Sequence, residues 1–77
     1  MIGRIREIVA DVLAMPPDEV GADVRREDLP RWDSMQNLNV AIALEQEFGV
    51  VFEPEDFERI DGVPALAAMV RDKLARR

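Results

Sequence analysis

Ser34 carries the one serine hydroxyl in the chain, and it directly follows Asp33. A serine nucleophile needs a base within hydrogen-bond reach, most often an imidazole. The sequence holds no histidine and no cysteine. Asp33 is adjacent, but it stands where a helix cap belongs, and a carboxylate that accepts backbone N–H groups is a poorer base. Ser34 is therefore not activated from within and reads better as an acceptor hydroxyl that another enzyme modifies. The same residue supply argues against an enzyme, since the commonest general base, metal ligand and thiolate are lacking. Glu53, Glu55, Asp56 and Glu58 cluster, but without the pattern of a calcium-binding EF-hand loop, so no metal is expected.

The element that positions Ser34 is the helix it opens. Asp33 and Gln36 form a D-x-x-Q variant of the capping box. In such a box the cap oxygen accepts a free N–H while the amide reaches back. Ser34 is then the first helical residue, at the positive end of a dipole, a place that suits an attached or bound phosphate. At about 100° per residue, the apolar positions of residues 34–48 fall into two stripes. Val40, Ala41, Leu44 and Phe48 make an ordinary core face. Met35, Leu38 and Ile42 lie nearly opposite, flanked by Asn39, Glu45 and Gln46. A helix at the edge of a small bundle buries one broad face only. Met35, Leu38, Ile42, Glu45 and Gln46 are therefore expected to form a docking surface for a partner. The preceding loop is expected to cover part of this stripe, Met35 above all.

The remaining chain supplies the scaffold. Apolar residues at 2, 5, 8, 9, 12 and 13 have helical spacing, and Pro16 and Pro17 stop that helix. Residues 16–32 read as a long ordered loop pinned by Val20, Val24 and Leu29, with single turns near Asp18 and Asp28. Trp32, the only tryptophan, is read as a packing anchor. Gly49 closes the central helix. Val50-Val51-Phe52 is an extended connector that drops apolar groups into the core. The expected fold is all-α, an up-and-down bundle of three main helices near 2–14, 34–48 and 64–75, with a short helix near 56–60 and a long first loop.

With 77 residues, the chain is expected to be a single domain, 1–77. No run approaches the roughly 20 apolar residues of a membrane span, and the N-terminus lacks a signal-peptide core. A soluble, cytoplasmic monomer is the expectation. The net charge is -6, concentrated in residues 18–61, where thirteen acids face four bases. That distribution disfavours nucleic acid and suits partners with basic docking surfaces. A helix-turn-helix DNA binder fits the helix count but not this charge.

Asp33-Ser34-Met35, followed by a helix ending Leu44-Glu45-Gln46-Glu47-Phe48-Gly49, resembles the acyl carrier protein family. The resemblance spans about Ile5 to Leu74. It implies that Ser34 carries a 4′-phosphopantetheine arm, transferred from coenzyme A by a phosphopantetheinyl transferase. It also implies that acyl or aminoacyl groups ride on the arm as thioesters between acyl-loading and acyl-processing enzymes. Asp33 would then be both motif residue and helix cap. Gln36 and Asn39 stand where the best-known fatty-acid carriers have acids, and Pro30-Arg31-Trp32 alters the approach to the serine. These departures favour a specialised carrier of the polyketide, nonribosomal-peptide or D-alanyl type, and leave the choice among them open. The alternative is a small helical interaction domain that is never modified.

Overall fold

The computed structural model describes residues 1–76. Its helices are α1 (Ile2–Leu13), α2 (Ser34–Phe48), α3 (Pro54–Phe57) and α4 (Val63–Ala75), with two single 3-10 turns in the first loop, Pro17–Glu19 and Arg26–Asp28. No strand occurs among the described residues; an isolated antiparallel bridge joins Arg25 to Gly62. The all-α bundle of three long helices and one short one follows from the apolar periodicity.

α1 packs on both α2 and α4, and α3 packs on α2. Its buried side, Ile5, Ile8, Val9, Ala10 and Leu13, meets Val40, Ala41 and Leu44 of α2 and Val63, Leu66, Ala67 and Val70 of α4 in one continuous core. α1 ends one residue before the expected 14. Ala14 turns left-handed (φ 56°, ψ 48°), and the N–H of Met15 returns to Ala10 O at 2.9 Å. This is the six-to-one bond of a Schellman turn, which usually employs glycine. The Arg31 guanidinium adds donors to Leu13 O (3.3 Å) and Ala14 O (2.8 Å), satisfying carbonyls that a helix end leaves open.

Long loops in small domains are ordered only if something ties them down. Here Val20 and Trp32 are buried in the core. Arg6 Nε donates to Val20 O at 2.6 Å. The far end is stitched to the start of α4 by Arg26 N–H to Asp61 O (2.9 Å) and Val63 N–H to Val24 O (3.0 Å). The two backbones approach so closely that a Cβ on Gly62 would lie 2.6 Å from Val24 O. Glycine is required there for clearance.

Two expectations about the closing unit need correction. The short helix spans Pro54–Phe57, earlier than 56–60. Pro54 is preset for a first turn, and Asp56 Oδ2 accepts the Glu53 N–H at 2.7 Å, so the helix begins there. In the connector, Val50 and Phe52 are buried but Val51 is 65% exposed, because extended backbone alternates its side chains. α3 is locked to α4 by the ion pair of Asp56 Oδ2 with Lys73 Nζ (2.8 Å), and the same ammonium lies 5.3 Å from the centre of the Phe52 ring.

Candidate functional site

α2 begins as its sequence dictates. Asp33 is extended (φ -87°, ψ -174°), and its Oδ1 accepts the Gln36 N–H at 2.9 Å. The reciprocal half of the capping box does not form. Gln36 Oε1 instead accepts from Asn39 Nδ2 at 3.1 Å, one turn along the helix. Ser34 is exposed at the first helical position, and its hydroxyl has no hydrogen-bond partner among the described residues. The chain contains neither threonine nor tyrosine, so this is its single side-chain hydroxyl.

Ser34 opens onto a shallow groove of about 370 Å³, lined also by Arg26, Asn37, Leu38, Phe57 and Glu58. Behind it lies a polar clasp. Trp32 is buried, as the packing reading required, and its Nε1 donates to Asn37 Oδ1 at 2.9 Å. Asn37 Nδ2 in turn donates to Phe57 O at 3.3 Å. Asn37 is the residue the sequence reading passed over. Its signal was present: it falls on the core face of α2 beside Ala41 and Leu44, where a polar side chain must find partners.

Met35, Leu38 and Ile42 share the outer face of α2 and are 71%, 46% and 43% exposed. The expected cover over Met35 is absent, because Arg6, Arg31 and the bridge to Gly62 hold the loop elsewhere. Gln46 is exposed at the edge of this face. Glu45 has a task within the fold: its Oε2 accepts the Phe52 N–H at 2.8 Å and anchors the connector after α2. Glu47 pairs with Arg4 at 3.0 Å, and that hydrogen bond holds its carboxyl below the usual range.

This geometry fits a phosphodiester-linked group. A primary hydroxyl stands open to an approaching enzyme at the positive end of a fifteen-residue helix, with a cation-bearing groove beside it. No helix among the described residues is long and apolar enough to cross a membrane.

Comparison with known proteins agrees. Residues 3–70 match the family described as "Phosphopantetheine attachment site". An acyl carrier protein of Petrotoga mobilis is 34% identical over 71 residues, covering 92% of this chain and 84% of that protein. One from Thermosynechococcus vestitus is 28% identical over 75 residues, covering 97% and 93%. "Acyl carrier protein 3" of Ralstonia nicotianae is 30% identical, covering 100% and 88%. The chain belongs to the acyl carrier protein family, whose members are carriers rather than catalysts and bear a covalently attached 4′-phosphopantetheine group.

Proposed function

We propose that Ser34 is the attachment residue and that the protein delivers acyl or aminoacyl groups to successive enzymes. The observation that carries this reading is the exposed hydroxyl of Ser34, the chain's only one, at the capped start of α2. In attachment, the serine oxygen bonds to phosphorus of coenzyme A, the nucleotide leaves, and the hydroxyl proton passes to the transferase, since this chain has no base for it. Once bound, the group supplies a terminal thiol that holds cargo as a thioester.

The chain's own residues then orient and present. Asp33 fixes the first turn, while Trp32 and Asn37 hold that turn against the core. Met35, Leu38 and Ile42, bordered by Glu45 and Gln46, form the face on which transferase and processing enzymes dock. Acids elsewhere, from Asp18 to Asp28 and from Glu53 to Asp61, steer encounter with basic partners. Such docking raises the effective concentration of tethered cargo and must remain weak enough to release.

Intact-mass measurement after incubation with coenzyme A and a broad-specificity phosphopantetheinyl transferase tests this. One phosphopantetheine per chain is expected, and none in Ser34→Ala. No gain in the unsubstituted chain, or a gain that survives Ser34→Ala, overturns the assignment.

A further inference from the structure

The groove beside Ser34 contains a guanidinium whose terminal nitrogens have no hydrogen-bond partner among the described residues. The chain is rich in acids, and several of its cations are engaged with them. Arg4 pairs with Glu7 and Glu47, Arg25 with Glu27 and Asp61, Lys73 with Asp56, and Arg76 with Asp72. Arg6 and Arg31 are committed to backbone carbonyls. Arg26 differs. Its Nε donates to Trp32 O at 3.4 Å, and no carboxylate among the described residues lies within ion-pair distance of it. Its backbone is anchored as well, through the bond from its N–H to Asp61 O at 2.9 Å. The side chain is half-buried and lines the groove that Ser34 opens onto.

We propose that Arg26 is the phosphate-holding residue of the attachment site. Its two terminal nitrogens donate to the non-bridging oxygens of a phosphodiester on the Ser34 oxygen. This rests on the reading of Ser34 as the attachment residue. A guanidinium is a planar fork matched to phosphate oxygens, and an ordered arginine loses less freedom per bond formed than a lysine. The peptide N–H groups of Ser34 and Met35, which have no acceptor among the described residues, face the same anion from the helix start. Glu58 is the other charged residue of the lining and repels a phosphodiester. The anion therefore settles toward Arg26, and the base of the arm leans to the loop side of the groove.

The test compares the chain before and after loading, with the arginine Nε groups labelled with 15N. Loading is expected to move the Arg26 Nε signal well beyond that of Arg25, whose guanidinium already holds Glu27 and Asp61. In loaded Arg26→Gln, the 31P resonance is expected to shift toward that of a phosphopantetheinylated serine peptide. Arg26→Lys, which keeps the charge but not the fork, is expected to fall between. An Arg26 signal that moves no more than that of Arg25, or a 31P resonance identical in loaded wild type and Arg26→Gln, overturns the proposal. If neither variant can be loaded, the wild-type Nε comparison decides alone. Absence of loading in the wild type is a different outcome, which removes the Ser34 reading itself.

Discussion

The indole nitrogen of Trp32 donates a 2.9 Å hydrogen bond to Oδ1 of Asn37, fastening the residues on either side of Ser34 to each other inside the protein. The serine itself remains outside. The contact separates the stability of the site from its chemistry, and the two can be measured apart. Asn37→Ala leaves a buried indole N–H without its partner and leaves the Phe57 carbonyl with only the 3.4 Å bond from the Ile60 N–H. A stability loss of about 2 kcal/mol is expected in urea titrations. Ser34→Ala, at an exposed position with no side-chain bond, is expected to change stability by less than about 0.5 kcal/mol. Equal losses in the two variants would contradict this division.

Asp33 is both the α2 cap and a charged neighbour of the serine, and substitution separates the roles. Asp33→Ala removes the oxygen that accepts the Gln36 N–H and is expected to cost about 1 kcal/mol. Asp33→Asn keeps an acceptor and most of the stability. If loading by the transferase falls in Asp33→Asn while the unfolding midpoint holds, the enzyme reads the negative charge. If loading tracks stability across both variants, Asp33 acts only by ordering the turn.

The Lys73 hydrogen bond holds the Asp56 carboxyl below its ordinary value of 3.8, with the Glu53 N–H acting in the same direction against burial. The unfolded chain therefore takes up this proton at a higher pH than the folded one. The resulting stabilisation is complete above the ordinary carboxyl value and is lost as pH falls through the folded value. Lys73→Met keeps the aliphatic stem and removes the ion pair. It is expected to lower stability by about 1–2 kcal/mol near neutrality and to flatten the decline below about pH 4. Parallel pH profiles for variant and wild type would refute the coupling.

Docking through α2 predicts a split between folding and transfer. Leu38→Ala together with Ile42→Ala removes exposed apolar surface, so unfolding midpoints should barely move. Partner-catalysed transfer should fall about tenfold, as expected for loss of a central apolar contact. Glu45 is less clean. Charge reversal there also releases the Phe52 N–H, so Glu45→Lys should lose about 1–2 kcal/mol of stability as well as partner rate. Unchanged rates in the Leu38/Ile42 double variant would remove this face from the docking surface.

What could be read from the sequence was local. The spacing of Ile5, Ile8, Val9 and Leu13 determined α1, Asp33 and Gly49 bounded α2, and Gly49 adopts the left-handed φ of 66° that its position predicts. Features hidden from the sequence depend on distant partners or on competition among neighbours. Gln36 could reach back to the cap or forward to Asn39, and spacing alone does not rank the two. Ala14 carries no glycine signal, yet it turns left-handed. Arg31 and Arg26 looked like ordinary loop charges. Their roles arise because the loop folds back on the end of α1 and on Asp61. Asn37 was concealed by the motif around it, although its phase on the helix marked it as buried.

On the proposed function, the ion pair between Lys73 and Asp56 bears on the safety of a bound thioester. An activated thioester is vulnerable to any thiol or free amine within reach. This chain has no cysteine, and its single lysine is the ammonium bound to Asp56. A protonated nitrogen in an ion pair has no lone pair with which to attack. Among the described side chains, none then offers a free amine or thiol to a thioester carried as proposed.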